Sequence, residues 1–319
     1  MTGDTRPPAP QLPVVTSLYA PASAPALLPK ALSAGADVVL VDLEDAVLAD
    51  AKNTARANVL AFLDTLTGTG TGTEPGTAIQ PGTGTDTGFA ETGPGVQVRV
   101  NHPRGAVGPR DLAALGAHRA VREGWIGLRL PKVTGPDDVD LALELLGVAE
   151  PPPVHCLLES AAGVENANRI AEHPAVAGIS LGEADLAAEL GLHGEEAFDW
   201  IRGRVVVAAA AAGLPPPAMA VYLDLADPDG LAASCVRGRA LGMFGRSALH
   251  PRQLPVITRA FTPSPAELER AREVVTAAAG AETDGAGAIA LPDGRFVDAP
   301  IVRSAHRTIR LAEQLGRPR

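Results

Sequence analysis

The chain has 319 residues, 46% hydrophobic and 20% charged, with 27 basic against 37 acidic residues and a formal charge of −10. It contains no run of 18 apolar residues free of charge, and no basic stripe, which argues against a membrane span and against nucleic-acid binding. Cys156 and Cys235 make neither a disulfide framework nor a CxxC metal site, and Met1–Pro13 has no apolar signal core, so the composition reads as a reduced, cytoplasmic protein.

Residues 1–13 form a polar, proline-rich tail. The next stretch alternates short apolar runs with helical patterns. The strand-like runs are Val14–Tyr19, Val38–Leu43, Val96–Val100, Ile126–Leu130, Val154–Leu158, Val176–Leu181, Ala218–Leu223 and Leu241–Phe244. Between them, helices are predicted over Ala24–Ala34, Ala51–Leu66, Pro109–Arg122, Pro136–Leu146, Gly163–Glu172, Ala197–Ala212 and Pro228–Ala240. Near-continuous apolar strands separated by helices imply parallel strands buried on both faces. Eight such units between residues 14 and 261 predict an α/β fold, a (β/α)8 TIM barrel. A doubly wound open sheet is the alternative, but no GxGxxG follows a strand.

Thr67–Gly95 interrupts this pattern with 9 Thr, 9 Gly and 3 Pro in 29 residues. Such a composition buries little apolar surface and predicts a disordered surface insertion. Residues 262–319 lie outside the barrel count. They predict a helix over Ser264–Ala279, a short strand pair around Gly287–Val297 and a last helix over Pro300–Leu315, an extension packing on the barrel or on a neighbouring subunit.

Active sites of such barrels sit where the strands end. The second run ends in Asp42-Leu43-Glu44-Asp45, the third in Arg99-Val100-Asn101, the fourth in Pro131-Lys132, the fifth in Glu159-Ser160, and the sixth leads into Gly182-Glu183-Ala184-Asp185. Several carboxylates converging on one mouth need a cation. With no histidine pair nearby, a hard ion, Mg²⁺ or else Mn²⁺, suits them better than Zn²⁺. Glu159 and Asp185 leave adjacent strands and can reach one ion together. The competing reading is that each caps a helix or pairs with Arg99 or Lys132. His102 and His250 read as hydrogen-bonded structural residues, Ser160 lacks a His–Asp arrangement, and Lys132 reads as a paired charge rather than a Schiff-base nucleophile.

The run Leu18-Tyr-Ala-Pro21, Gly35-Ala-Asp-Val-Val-Leu-Val-Asp-Leu-Glu-Asp-Ala-Val47, Lys52 and Ala55-Arg56 resembles the start of citrate lyase β-subunit-like proteins of the HpcH/HpaI aldolase family, within the phosphoenolpyruvate/pyruvate barrel superfamily. The likeness continues through Val98-Arg-Val-Asn101, Leu130-Pro-Lys132, Leu158-Glu-Ser-Ala161, Leu181-Gly-Glu-Ala-Asp-Leu186, Leu249-His-Pro-Arg-Gln-Leu254 and Gly294-Arg-Phe-Val-Asp-Ala-Pro300. The resemblance implies a Mg²⁺-dependent lyase that cleaves or forms a 3-hydroxyacyl-CoA such as malyl-CoA, citramalyl-CoA or a citryl thioester. The products are an acyl-CoA and an oxo acid.

Carried over by position, Glu159 and Asp185 match the metal ligands; Glu159 and Lys132 are in addition candidates for substrate binding. Arg99 matches the arginine facing the substrate carbonyl or enolate oxygen, with Glu44 and Asp45 beside it as catalytic candidates. Asp298 matches a C-terminal aspartate that serves a neighbouring subunit's site, with an N-cap of the last helix as its alternative role. A homotrimer or hexamer follows from the resemblance, and a free-standing enzyme is preferred to a complex subunit. The alternatives are a class II aldolase acting on free 2-oxo-hydroxy acids, and an idle binding homologue. Where many relatives begin the first strand with Arg-Ser, this chain has Val15 and Thr16. A basic contact to a CoA phosphate or to the substrate carboxylate is therefore missing or supplied elsewhere.

Overall fold

The computed structural model describes residues 14–67, 93–283, 289–291 and 294–315. The Thr/Gly-rich stretch lies almost wholly outside the described residues, as does the N-terminal tail. Two compact units are resolved, Val14–Thr258 and a second one containing Arg259–Arg319.

The first unit is built on parallel strands β1 (Thr16–Pro21), β2 (Val38–Asp42), β3 (Gly95–Arg99), β4 (Gly127–Leu130), β5 (Val154–Leu158), β6 (Val176–Leu181) and β7 (Arg246–Ala248). Their order in the sheet is β6-β5-β4-β3-β2-β1-β7. Sequential neighbours joined by helices, with the last strand returning to the first, is the wiring of a TIM barrel. Val38–Asp42 and Gly95–Arg99 are buried along their whole length, as strands covered on both faces must be.

Two of the eight strands depart from the sequence reading. The run Ala218–Leu223 pairs only through Met219, in a parallel bridge to Arg246. The next strand is Arg246–Ala248 rather than Leu241–Phe244. Leu241 caps the helix Pro228–Ala240, and Gly242 and Gly245 take φ of 92° and 77°, values that end a strand rather than extend it. A Cβ at Gly245 would stand 2.7 Å from the carbonyl oxygens of Val14 and Val15, so the chain enters β7 only after passing this close approach.

Among the helices, Pro109–Arg122 divides into Gly108–Ala117 and Arg119–Arg122, because His118 takes an extended conformation. Its ring accepts the Ala120 N–H and so starts the second piece. Gly163–Glu172 likewise divides, into Ala161–Glu165 and Ala167–Ala171. A further helix, Glu183–Leu190, follows β6, outside the helical stretches that the sequence pattern predicts.

The second unit pairs helices Pro265–Thr283 and Ala299–Leu315 with an antiparallel hairpin of Ile289–Ala290 and Phe296–Val297. Its core is Ala271, Val274, Leu291, Val297 and Ala305. Among the described residues, no helix is long and apolar enough to cross a membrane.

Candidate active site

Strand register places the first elements of the site. Asp42 and Arg99, the last residues of β2 and β3, are direct partners across the ladder. Neighbouring strands in register point paired side chains to one face. Arg99 accordingly grips Asp42 through Nε at 2.7 Å and Nη2 at 2.6 Å. A planar fork against a carboxylate is the strong form of such a pair. The two Asp42 oxygens also accept the amides of Glu44 (2.9 Å) and Ala46 (3.2 Å), folding the β2 exit over the strand ends.

That turn delivers Glu44 and Asp45 to Arg99. Nη1 of Arg99 lies 2.8 Å from Glu44 and 3.6 Å from Asp45, and the guanidinium carbon lies 4.9 Å from the centre of the Tyr19 ring. Burial alone would lower the Arg99 pKa, but the hydrogen bonds and charge of Asp42, with Glu44, hold it above its ordinary value. Glu44 is pushed upward by burial, which outweighs the opposing pull of Arg99 and Lys132.

Lys132 closes the cluster from the β4 side. Its ammonium lies 2.5 Å from Glu44, 3.4 Å from Asp45, 3.8 Å from Glu159 and 3.7 Å from Asp185. Burial opposes the charge, but the hydrogen bond to Glu44 and the surrounding carboxylates raise the Lys132 pKa and keep it protonated. Its backbone is left-handed, with φ of 54°. For a residue with a Cβ this costs about 1–3 kcal/mol and persists only where the surroundings enforce it. Here the four carboxylates and the Val133 N–H bonded to the Leu157 carbonyl do so.

Glu159 follows β5, and Gly182 follows β6, directly beside it. A Cβ on residue 182 would meet Glu159 Cγ at 2.4 Å, so only glycine leaves the carboxylate its place. Glu159 is 5% exposed, and its Oε2 has no hydrogen-bond partner. Burial, with the charges of Glu44 and Asp185, pushes its carboxyl up to about 8. Asp185 stands in the first turn of Glu183–Leu190, half exposed. Its motif neighbour Glu183 turns away, clasped by the buried Arg202 at 2.7 and 2.8 Å.

These contacts bring Arg99, Glu44, Asp45, Lys132, Glu159 and Asp185 into one cluster at the strand ends. Asp298 belongs to the second unit. There its Oδ1 accepts the Ile301 N–H at 3.2 Å, the N-cap geometry weighed against its catalytic role. Ser160 caps its own helix by accepting from Gly163 at 3.1 Å, and His250 caps Pro251–Gln253. His102 faces Asp138 at 3.8 Å, where burial lowers its pKa against the pull of that carboxylate.

Val15 and Thr16, where many relatives carry Arg-Ser, stand apart from this cluster. Both precede or open β1, at the opposite end of the strand from the mouth. They are buried, and their amides donate to Asp37 at 2.8 and 2.9 Å. A missing arginine there removes nothing from the strand-end cluster. Three residues of the site have no role assigned from the sequence: Tyr19 under Arg99 and Gly182 against Glu159, which lie inside the quoted runs, and Arg202 holding Glu183, which lies outside them.

The donor set fits a divalent cation of the Mg²⁺ type. Among the described residues no group of three or more His, Cys, Asp or Glu side chains forms a cage. Mg²⁺ asks for less: one or two carboxylates, with water and substrate oxygens completing its shell. A carboxylate oxygen that is buried, without a hydrogen-bond partner and pushed toward protonation is one that a cation would stabilise.

A family model described as HpcH/HpaI aldolase/citrate lyase matches residues 16–81 and 85–251. A (3S)-malyl-CoA thioesterase of Cereibacter sphaeroides is 33% identical over 302 residues, spanning 94% of both chains. An L-malyl-CoA/beta-methylmalyl-CoA lyase of the same species is 30% identical over 339 residues, spanning 98% of both. Among solved structures, the protein CitE of Mycobacterium tuberculosis in complex with magnesium, acetoacetate and coenzyme A superposes with a TM-score of 0.72 at 29% identity, covering 94% of this chain and 98% of that one.

Proposed function

The chain belongs to the HpcH/HpaI aldolase/citrate lyase family, and from that premise we propose that it is a Mg²⁺-dependent carbon–carbon lyase acting on a 3-hydroxyacyl-CoA. The products are an acyl-CoA and an oxo acid, with malyl-CoA, citramalyl-CoA and citryl thioesters as the substrate class. The observation that carries this reading is the convergence of Glu159 and Asp185 beside Lys132 and Arg99. It is supported by the likeness to a malyl-CoA lyase and to a protein solved with magnesium and coenzyme A.

Cleavage requires three things: removal of the 3-hydroxyl proton, a place for the negative charge that develops on the acyl-CoA fragment, and a proton for its α-carbon. Glu159 and Asp185 would hold the cation, which when bound supplies positive charge to the oxygens of the oxo-acid fragment. Arg99 has five N–H donors, spends two on Asp42 and turns Nη1 to Glu44 at 2.8 Å, leaving one Nη1 and one Nη2 hydrogen for a developing oxyanion. Asp42 keeps that guanidinium from rotating, so its dipoles need not reorganise as charge moves. Lys132, held protonated, attracts the carboxylate of the substrate. Glu44, a buried carboxylate pushed upward in pKa, suits proton exchange with the hydroxyl. Asp298 is proposed to supply the second proton-transfer group from a neighbouring subunit of a homotrimer or hexamer.

The test is incubation with a panel of 3-hydroxyacyl-CoAs with and without Mg²⁺, read by mass spectrometry. A lyase yields a shortened acyl-CoA and an oxo acid, with no water consumed. Thioester hydrolysis, the chemistry named for one relative, would instead yield free CoA and an intact hydroxy acid and overturn the assignment. Cleavage of free 2-oxo-hydroxy acids in preference to the CoA esters would point to the class II aldolase.

A further inference from the structure

We infer that Lys52 is a positioning residue that sets the Glu44 carboxylate between Arg99 and Lys132, an inference resting on the role proposed for Glu44. Lys52 opens the helix Lys52–Thr67. A cation in the first turn is opposed by the helix dipole, so its presence there needs compensation. The compensation is specific. Its ammonium donates to the Leu43 carbonyl at 2.8 Å, the Glu44 carbonyl at 2.7 Å and Asn101 Oδ1 at 2.8 Å. Three protons meet three neutral acceptors, and two of those acceptors are the backbone of the loop that carries Glu44.

The grip extends across two strands. Asn101 returns a hydrogen bond to the Leu43 carbonyl at 2.9 Å and donates to the fully buried Asp111 at 2.6 Å. Asp111 is held in turn by Arg56 at 2.7 Å. Lys52 and Arg56 are four residues apart, hence on one helix face. That single face pins the exits of both β2 and β3.

From the other side, Asp42 accepts the Glu44 amide at 2.9 Å, so the Glu44 peptide is held at its nitrogen and at its oxygen. The side chain that this peptide carries is buried and must meet two cations at once, Lys132 at 2.5 Å and Arg99 at 2.8 Å. A loop shift of about 1 Å would cost one of those contacts, a displacement of the size that lowers turnover by about 10²-fold. Lys52 itself touches neither cation and acts through Glu44.

The test uses the full chain with Lys52→Met, which keeps length and apolar stem and removes the ammonium. Lys52→Arg, which keeps the charge but cannot converge on three acceptors, carries the same test should the first variant fail to fold. Turnover of the best CoA ester should fall by roughly 10–100-fold with KM nearly unchanged. The double variant Lys52→Met/Glu44→Gln should be no slower than Glu44→Gln alone. Turnover near wild type, or losses that multiply in the double variant, would overturn the inference. Hydrogen exchange supplies a readout independent of activity. The amides of Glu44 to Val47 should exchange faster in Lys52→Met while those of β5 keep their protection, and unchanged protection at Glu44 to Val47 would refute the clamp even if the chain cleaves no CoA ester.

Discussion

Replacing Glu159 by Gln keeps the size of the side chain and removes only its charge, which isolates what that charge costs. The folded-state pKa of about 8 stands above the ordinary 4.5, so folding takes up a proton between these values. The sign follows: the group's contribution to stability is complete below about pH 4.5 and is lost as pH rises to about 8. At 1.36 kcal/mol per unit the loss is about 3 kcal/mol at pH 7 and about 5 kcal/mol above pH 8. Gln does not titrate and escapes it. In chelator, Glu159→Gln should therefore melt higher than the wild type at about pH 8, by about 10 °C or more for a domain near this size, and the two should converge toward about pH 5. Saturating Mg²⁺ should narrow that gap. The wild type gains about 2.7 kcal/mol at a hundredfold excess over Kd, and the variant gains little. Differential scanning calorimetry with EDTA and with Mg²⁺ reads both halves. A variant that melts below the wild type in chelator would mean that Glu159 is a structural partner of Lys132 rather than a strained ligand.

Three further outcomes follow from the same geometry. Arg99→Lys keeps the charge but loses the fork on Asp42, so turnover should fall by about 10²-fold or more with a smaller change in KM; steady-state kinetics with unchanged turnover would remove Arg99 from the mechanism. Mg²⁺ affinity, measured by calorimetry in buffers of different ionisation heat, should weaken by about tenfold per pH unit below about 8, with proton release on binding; affinity independent of pH would contradict Glu159 as a ligand. Asp298→Asn separates two roles. Asn still caps a helix, so an N-cap role alone predicts stability and chemistry both nearly unchanged, with a stability loss of about 1 kcal/mol appearing only in Asp298→Ala, whereas a proton-transfer group predicts a turnover loss of roughly 10²–10⁴-fold, partly recovered on mixing with Glu159→Gln chains that exchange subunits.

Much of the strand-end chemistry is legible in the sequence because parallel strands in register bring their last residues together. Asp42 and Arg99 sit at matching ends of apolar runs, and the ladder makes them partners. Two places were not legible, for distinct reasons. Glu183 and Asp185 look equivalent in Gly-Glu-Ala-Asp, but two helical steps of about 100° turn them to opposite sides. One reaches Lys132, the other Arg202. The run Leu241–Phe244 has strand composition, yet the left-handed backbone at Gly242 and Gly245 hands the strand to the residues that follow. Lys52 shows a third limit. Its three acceptors are two carbonyls and an amide 49 residues away, and carbonyls carry no sequence signature.

The proposed function requires one cation held jointly by Glu159 and Asp185. Crystals grown with Mn²⁺ and an oxo acid, with data collected at the manganese edge, test it directly. The predicted result is an anomalous peak in contact with both carboxylates at the strand ends, with the Lys132 ammonium drawn away from Glu159 and Asp185. A map without a peak there, with Lys132 still placed against both acids, would contradict it.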